Sequence, residues 1–323
     1  MMKLSRQLDF KKIHIIINPV AGIPRPVLSV IARAFKQEGV EWDISLLKDD
    51  QGARQHVERA LSCGVDAIAV YGGDGTIMDV SNDLVGKKIP MIILPGGSAN
   101  VLSVELGIPN DLAAACKLIF SEKAAIRSVD MGQMGSHHFL LRVSAGFEAE
   151  IVKATDRKLK TNVGRLAYAL SGLKAIRKTR QIHYKIVLDD RKTIETDGLA
   201  CVIANSGNLG LPGVTLSPKI KIDDGLLDVI VIRAADINSL FYLASNFKGE
   251  DIIKEFFQHW QAKKVDVDFN QSQSLHCDGE VWVQCPIHAK IIKHAVQIVV
   301  PQKKNVLFKV RGNSEKKSVV MDG

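Results

Sequence analysis

The sequence predicts an α/β N-terminal domain built on a parallel sheet, followed by a mostly antiparallel β-sandwich C-terminal domain. The length of 323 residues accommodates two domains, since single domains hold roughly 100–200 residues. Over about the first 130 residues, strand-like runs alternate with segments of helical spacing, which is typical of a parallel sheet covered by helices. Short alternating runs separated by turn residues then dominate, as they do in antiparallel sheets.

The change from alternating strands and helices to short successive strands divides the chain into two domains. We predict an α/β domain over residues 1–132 and a β-rich domain over residues 133–300. An apolar strand within residues 301–311 follows, for which a return to the N-terminal domain is one option. Residues 312–323 are polar and are expected to form a disordered tail.

In the N-terminal domain, apolar β-branched runs predict the strands Ile13–Ile17, Val40–Leu47, Ala67–Tyr71 and Met91–Leu94. Helical spacing predicts helices over Val27–Glu38 and Gly52–Cys63, a third that ends near Val85 and a fourth after Asn100. Three turns follow strands, at Asn18-Pro19, Gly72–Thr76 and Pro95–Asn100. Because the carboxyl ends of parallel strands share one edge, where ligands bind, we expect these turns to lie together.

In the second half, period-2 alternation predicts strands and acidic or glycine-containing segments predict the turns between them. The predicted strands are Phe139–Val143, Ile182–Leu188, Ala200–Ala204, Leu227–Arg233, Val265–Phe269, Val281–Val283 and Gln297–Val300. The predicted turns include Asn205–Gly213 and Asp223-Asp224-Gly225, and helices are expected near residues 163–178 and 236–259.

The turn Gly72-Gly73-Asp74-Gly75-Thr76 is the strongest functional signal. A glycine-rich turn between a strand and a helix can bring backbone N–H groups against a phosphate. The carboxylate of Asp74 repels a bare phosphate, so its presence indicates a bridging Mg²⁺ or a role toward a phosphoryl acceptor. The alternative is an ordinary turn in which Thr76 caps the following helix.

The net charge of +8 favours anionic partners. Nine Lys and Arg residues lie between Lys153 and Arg180, and residues 163–177 have helical periodicity with one apolar and one basic face. Such a helix either lies on an anionic membrane surface or packs on the core with a solvated basic face. No recognised nucleic-acid-binding module accompanies the charge, so nucleic acid is not expected as a partner.

The N-terminus and the cysteines indicate a cytoplasmic protein. The first residues lack the apolar segment of a signal peptide, and no apolar run approaches the ~20 residues of a membrane-spanning helix. The five cysteines are odd in number, widely spaced and without a CxxC pair. They are therefore expected to be reduced thiols, and a zinc site is not expected.

Two acidic turns occur in the second half. Three carboxylates lie within Asp223–Asp228 and repel one another unless a cation compensates, so this turn is either a Mg²⁺ or Ca²⁺ site or a solvated hairpin turn. In Asp278-Gly279-Glu280, a glutamate held at a tight turn could act as a general base toward a hydroxyl group, although such turns are commonly structural.

Together these motifs resemble the diacylglycerol kinase catalytic-domain family, which includes bacterial diacylglycerol kinases and sphingosine kinases. The matching segments, in the order of the family, are Asn18-Pro19-Val20-Ala21-Gly22, Gly72–Thr76, Pro95–Asn100, Gly146–Glu150, Asp223–Asp228 and Asp278–Glu280. The resemblance covers about residues 13–310. It implies a fold like those of NAD kinases and phosphofructokinases, with a cleft between a nucleotide domain and a lipid domain.

The resemblance also implies ATP-dependent phosphorylation of a lipid hydroxyl and a role for each matching residue. The nucleotide contacts implied are Asn18, Gly72, Gly73, Asp74, Gly75, Thr76, Ile77, Met78 and Ser98. Asp74 would act near the phosphates through a catalytic Mg²⁺. A second, structural Mg²⁺ would be held by the carbonyl groups of Lys221 and Leu226 and the carboxylate of Asp224. Glu280 would be the catalytic base.

The sequence departs from the family pattern at four places. Ala21 replaces the serine of NPxSG, and Val101 replaces the acid of GTxND. Leu46-Leu47 replaces a threonine near the end of the second strand, and Met78-Asp79 replaces an Asn-Glu pair. The acceptor could therefore be diacylglycerol, a long-chain base or another lipid.

Other functions stay open at this point. An NAD kinase shares the first glycine motif, and a protein that only binds a nucleotide or lipid is a third interpretation. The expected enzyme would be cytoplasmic and would contact membranes peripherally. The oligomeric state is left open, with a homodimer as one option.

Overall fold

The computed structural model describes residues 8–22, 26–47, 52–146, 181–211, 214–233, 257–270, 275–282 and 286–302. The predicted basic helix near residues 163–178 lies outside these residues. So do residues 147–150 of one matching motif, the predicted tail over 312–323 and the predicted C-terminal strand beyond Gln302.

The N-terminal half alternates strands and helices, as the sequence predicts. Its elements are β1 (Lys12–Ile17), α1 (Val27–Glu38), β2 (Glu41–Leu46), α2 (Arg54–Ser62), β3 (Ala67–Gly72), α3 (Asp74–Leu84), β4 (Met91–Pro95), α4 (Val101–Glu105) and α5 (Leu112–Ile119).

The first four strands form a parallel sheet in the order β2-β1-β3-β4. Every residue of β3 and of β4 is buried, as expected for strands that are covered by helices on both faces. Helix α1 packs against α5, and α2 packs against α3, which agrees with right-handed crossovers that place helices on both faces.

The second half is almost entirely β structure among the described residues. Its strands are β5 (Ala124–Met134), β6 (His137–Phe139), β7 (Arg142–Gly146), β8 (Ile182–Leu188), β9 (Lys192–Gly198), β10 (Ala200–Ala204), β11 (Asn208–Leu211), β12 (Val214–Thr215), β13 (Leu227–Ile232), β14 (Phe257–Ala262), β15 (Lys264–Phe269), β16 (Leu275–Cys277), β17 (Glu280–Trp282) and β18 (Ile287–Pro301).

The long strand β18 joins the two halves of the chain. Ile298 of β18 pairs with Met91 of β4 in parallel, and β18 runs antiparallel to β5 from Ala289–Met134 to Pro301–Ala124. Near its amino end β18 also pairs with β15, at residues Ile287–Lys290, and from there the sheet continues through β8 and β9. One sheet is therefore parallel in its first part and antiparallel in its second.

A second sheet, in the order β14-β13-β10-β7-β16-β17, packs on the antiparallel part of the first. The core between them contains Tyr184 and Val265 from the first sheet and Val143, Ile203 and Val229 from the second. This is a β-sandwich, so the predicted fold class is confirmed: a parallel α/β domain followed by an antiparallel sandwich.

Several predicted elements differ in detail. The predicted strand Phe139–Val143 is divided between β6 and β7, and the predicted turn Asn205–Gly213 contains β11. Residues 257–259 of a predicted helix belong to β14, where they pair with β13. Strands β5 and β9 were not predicted, because polar residues interrupt β5 and because β9 is a polar edge strand.

No helix in the described part of the chain is long and apolar enough to cross a membrane.

Candidate functional site

The three turns that follow β1, β3 and β4 meet at the carboxyl edge of the parallel sheet. The side chain of Asn18 donates a hydrogen bond from Nδ2 to Oγ1 of Thr76 over 2.9 Å. The N–H of Gly96 donates to the carbonyl of Gly72 over 2.8 Å. The arrangement expected from the strand order is therefore present.

Glycine is required where two of these turns pack backbone against backbone. A Cβ on Gly97 would lie 2.6 Å from Cα of Gly73, and a Cβ on Gly72 would lie 2.5 Å from Cβ of Thr76. No atom lies within 4 Å of the corresponding position at Gly75, which is exposed. Gly72 and Gly97 thus leave no room for a side chain, whereas Gly75 borders open space.

The predicted turn Gly72–Thr76 is partly helical. Helix α3 begins at Asp74, and the N–H of Ile77 donates to the carbonyl of Gly73 over 3.1 Å. The reason is that Gly73 in an extended conformation can serve as the N-cap residue. The amino end of α3 therefore starts at this edge, with Asp74 in the first turn, where the helix dipole favours a negative charge.

The carboxylate of Asp74 contacts the next helix. Its two oxygens accept hydrogen bonds from the N–H groups of Val101 and Leu102, each over 3.1 Å. These are the first two residues of α4, whose N-cap residue Asn100 makes no side-chain capping bond. Asp74 therefore caps α4. A carboxylate has about four acceptor positions, so it retains capacity for a hard cation such as Mg²⁺.

The other predicted nucleotide contacts lie in different environments. Ser98 is exposed on the turn after β4, and Asn100 holds this turn with two hydrogen bonds to the backbone of Gly97. Ile77 is fully buried in the core, and Met78 is 9% exposed. Ser98 thus faces solvent at the shared edge, whereas the side chains of Ile77 and Met78 contact protein.

An apolar groove of about 530 Å³ lies beside the turn after β1. Its walls include Pro19, Val20, Leu28, Leu46 and Tyr71. Val20, Leu28 and Leu46 are unusually exposed for large apolar side chains. The groove also includes Ala21 and Leu46, two positions at which the sequence departs from the family pattern.

Asp278 shapes the edge of the second sheet. This residue has a φ of 48°, and its carboxylate accepts hydrogen bonds from the N–H groups of Leu140, Leu141 and Arg142 over 2.7–3.0 Å. These contacts explain why β6 and β7 are separate strands. Burial raises the pKa of Asp278 to about 6, although the three N–H groups act in the opposite direction.

The predicted base, Glu280, follows on β17 and is exposed. It lies close enough to α3 to interact with Asp79. Burial raises the pKa of Asp79 above its usual value, with further contributions from the charges of Glu280 and Asp83. The turn that carries Glu280 therefore faces the helix that begins with Asp74.

A small cavity marks where the two halves of the chain meet. It is lined from the N-terminal half by Asp74, Met78 and Leu102 and from the second half by Leu140, Leu141 and Asp278. The structure thus brings the glycine-turn carboxylate and Asp278, the first residue of the Asp278-Gly279-Glu280 turn, to the same small cavity.

The acidic turn before β13 forms a second group. The carboxylate of Asp223 pairs with Arg127 over 2.7 Å, and the buried Asp228 lies 2.6 Å from Nε2 of His259. The buried Asp130 of β5 accepts the N–H of Gly225 over 2.6 Å. The turn is therefore anchored to β5 as well as to the second sheet.

The predicted ligands Lys221, Asp224 and Leu226 all lie on this turn. Oδ1 of Asp224 accepts the N–H of Leu226 over 3.0 Å. Burial and three neighbouring carboxylates raise the pKa of Asp224, which indicates an excess of negative charge. Hard oxygen donors in such a field fit Mg²⁺, although the described residues contain no group of three or more His, Cys, Asp or Glu side chains that could hold a metal ion.

Two acidic residues that accept hydrogen bonds in or near this region were not predicted. Asp130 accepts the N–H groups of Gly225 and His294. Glu105, at the end of α4, accepts hydrogen bonds from Ser206 Oγ and from the N–H of Asn208. The only sequence signal for either is a single acid in a largely apolar segment, a pattern that does not indicate a partner.

Two family models match the chain. The model described as "Diacylglycerol kinase catalytic domain" matches residues 12–134, and the model described as "YegS C-terminal NAD kinase beta sandwich-like domain" matches residues 141–300. Together these two matches extend over most of the chain.

The chain is also similar to named relatives. It is 26% identical over 300 residues to the diacylglycerol kinase of Bacillus subtilis, a match that covers 91% of this chain and 98% of the relative. It is 27% identical over 275 residues to a Pseudomonas aeruginosa protein named "Probable lipid kinase YegS-like", with 84% and 89% covered.

A crystal structure of a diacylglycerol kinase from Bacillus anthracis has a similar fold. It aligns with a TM-score of 0.74 at 25% identity, and the alignment covers 91% of this chain and 98% of that one.

Proposed function

Since the chain belongs to the diacylglycerol kinase catalytic-domain family, we propose that it transfers the γ-phosphate of ATP to a hydroxyl group of a lipid. The observation that carries the proposal is that the glycine-turn carboxylate, Asp74, lines one small cavity together with Asp278, which lies two residues before Glu280. A kinase needs a phosphate-binding element and an acceptor-side base near each other, and the nearness of these two elements supports the proposal.

The donor nucleotide would bind at the carboxyl edge of the parallel sheet. Its phosphates would contact the exposed Gly75 and Ser98 and the amino end of α3, where the N–H groups of a first helical turn favour anions. The side chain of Asn18 would contact the nucleotide from the turn after β1. The apolar groove beside Asn18 would take the nucleoside.

Two Mg²⁺ ions are part of this proposal. Asp74 would hold a catalytic ion, and the carbonyl groups of Lys221 and Leu226 with the carboxylate of Asp224 would hold a structural ion. When bound, Mg²⁺ neutralises phosphate charge during transfer. Asp74 also keeps α4 against the glycine turn, which fixes the donor side of the cleft.

On the acceptor side, Glu280 would take the proton of the lipid hydroxyl as that oxygen attacks the γ-phosphate, the bond from the γ-phosphorus to the β,γ-bridging oxygen breaks and ADP leaves. The three hydrogen bonds of Asp278 fix the turn two residues before Glu280. Phosphoryl transfer depends mostly on positioning and charge neutralisation, so the rigidity of this turn is part of the proposed mechanism.

The test is a panel of acceptors assayed with ATP and Mg²⁺ and analysed by mass spectrometry. The panel holds diacylglycerol, monoacylglycerol, a long-chain base, phosphatidylglycerol and NAD⁺. We expect a phosphorylated lipid and loss of that product with Glu280→Ala, by about 10²–10⁴-fold. Phosphorylation of NAD⁺ alone, or equal activity of the variant, would contradict the proposal.

We further propose that the protein contacts anionic membranes peripherally. The support is the basic segment between Lys153 and Arg180, since each cationic residue near an anionic surface contributes about 1 kcal/mol. Co-sedimentation with phosphatidylglycerol-containing liposomes should weaken when Lys174, Arg177 and Lys178 are replaced by glutamine. Unchanged co-sedimentation would remove this role.

A further inference from the structure

A continuous line of hydrogen bonds runs from Asp74 to Asp278 through helix α4. It connects the donor side of the proposed cleft with the turn that carries the proposed base. We call it the α4 bridge and define it as Asp74, α4, Ser206, Leu141 and Asp278.

The first part of the α4 bridge lies in the N-terminal half. Both carboxylate oxygens of Asp74 accept N–H groups from the first turn of α4, at Val101 and Leu102. Leu102 is buried in the core of this half. Because α4 has only one and a half turns, a residue at its carboxyl end is fixed relative to Asp74.

The second part crosses into the β domain. Oε2 of Glu105, the last residue of α4, accepts a hydrogen bond from Oγ of Ser206 over 2.8 Å. The same oxygen accepts the N–H of Asn208 over 3.0 Å. Ser206 is fully buried, and hydrogen bonds to an ionised acceptor are stronger than those between neutral groups.

The third part leads to the acceptor-side turn. The N–H groups of Asn205 and Ser206 donate to the carbonyl of Leu141 over 2.9 Å and 3.0 Å. The N–H of Leu141 donates to Oδ1 of Asp278 over 3.0 Å. Asp278 lies two residues before Glu280, and Asp74 and Asp278 line the same small cavity, so both ends of the α4 bridge lie at one place.

We propose that Glu105 is a positioning residue, which holds the turn bearing Glu280 at a fixed distance from Asp74 by joining α4 to Ser206. This rests on the proposed function, because the distance matters only if a phosphoryl group passes between the two sides. Without the Glu105 carboxylate, Ser206 and Asn208 lose their shared acceptor, and the two halves of the cleft lose a polar contact that ties them together.

The experiment compares Glu105→Ala with the wild type in kcat, in KM for ATP and in KM for the lipid that the wild type phosphorylates. We expect kcat to fall about 10- to 100-fold, since small misplacements of reacting groups have effects of this size. Both KM values should stay within about threefold, because Glu105 is not proposed to contact either substrate. The substitution would therefore affect only the alignment of the reacting groups in the transition state.

Two variants separate positioning from general loss of stability. Glu105→Gln keeps an oxygen that accepts both hydrogen bonds and should restore most of kcat. Glu38→Ala removes an exposed glutamate at the end of α1 and should leave kcat unchanged. The double variant Glu105→Ala/Ser206→Ala should be no slower than Glu105→Ala alone, since both changes break one contact.

Hydrogen–deuterium exchange provides a measurement that does not require turnover. The amides of Leu140, Leu141 and Arg142 should exchange faster in Glu105→Ala than in the wild type, while α1 exchanges at an unchanged rate. Unaltered exchange at these three amides would overturn the proposal, as would an unchanged kcat or a loss of ATP binding in parallel with kcat. If the wild type phosphorylates no lipid, the proposed function fails, and a role for Glu105 in phosphoryl transfer fails with it. Faster exchange in Glu105→Ala would still establish that Glu105 holds the turn before Glu280 through Ser206 and Asn208.

Discussion

At the scale of single residues, two glycines at the proposed site differ in whether a side chain would fit. Gly97 contacts the backbone of Gly73 so closely that a side chain has no space, whereas Gly75 has open surroundings. One glycine is needed for folding, and the other is compatible with a side chain. The two substitutions therefore separate stability from ligand binding.

Gly75→Ala should raise the free energy of unfolding by about 0.5–1 kcal/mol, because alanine is favoured over glycine within a helix. It should also weaken ATP binding, because the added methyl group occupies the surface proposed for the phosphates. Gly97→Ala should lower both stability and binding. Urea unfolding and calorimetric titration with ATP measure these effects, and unchanged ATP affinity in Gly75→Ala would argue against phosphate contact at this position.

The raised pKa of Asp278 predicts that the stability of the protein depends on pH. Burial raises its pKa to about 6 from a usual value near 3.8. Between these two pH values the folded state therefore holds a proton on Asp278 that the unfolded state has released. The resulting contribution to stability is complete below about pH 4 and is lost as the pH rises through about 6. The shift corresponds to about 2 to 3 kcal/mol.

Urea unfolding of the wild type and of Asp278→Asn between pH 4 and pH 7.5 measures this contribution. The free energy of unfolding of the wild type, minus that of the variant, should decrease over this range. Parallel curves for the two proteins would mean that the pKa of Asp278 is not raised by burial.

At the scale of elements, α4 depends on a capping group from elsewhere in the chain. Its own N-cap residue, Asn100, has a φ of 49° and provides no side-chain cap, and Asp74 supplies both acceptors. The next helix, α5, is capped locally, where Asp111 accepts the N–H of Ala114 over 2.8 Å. Asp74 and Asp111 thus both cap helices, but only Asp74 lies at the proposed cleft.

Asp74→Ala and Asp111→Ala should each lower the free energy of unfolding by about 1 kcal/mol, as expected for loss of a helix cap. Only Asp74→Ala should also abolish lipid phosphorylation, because Asp74 faces the proposed cleft and Asp111 does not contribute to it. Thermal unfolding and the lipid assay give the two quantities. Equal residual activity in both variants would show that Asp74 acts only as a cap.

At the scale of the whole molecule, the two halves share one sheet. Strand β18 pairs with β15 near its amino end, with β4 near its carboxyl end and with β5 along most of its length. Val296, Ile298 and Val299 of β18 belong to the core of the N-terminal half. The N-terminal half thus contains a strand that the chain supplies about 150 residues after β5.

A fragment of residues 1–134 should therefore not fold by itself. Without β18, the sheet edge at β4 and the whole length of β5 lose their partner, and unpaired edges favour aggregation. We expect the fragment to show no cooperative thermal transition by circular dichroism, whereas the full chain shows one. A sigmoidal transition of the soluble fragment would contradict this expectation.

The sequence determined the fold class and the edge on which the glycine turns lie. Strand-like runs such as Ala67–Tyr71 are apolar throughout because both faces are covered, and this local composition is visible without a structure. The helices Val27–Glu38 and Asp74–Leu84 follow from helical spacing in the same way. Parallel order then requires that the turns after β1, β3 and β4 lie together.

Only the tertiary structure decided which side chains meet across the two halves. Asp74 contacts α4, Glu105 contacts Ser206, and Asp278 contacts three amides more than 130 residues earlier. It also decided that β18 joins both halves and that Phe139–Val143 forms two strands. The physical reason is that such contacts depend on geometry between distant segments, whereas periodicity and composition report only the local environment of each residue.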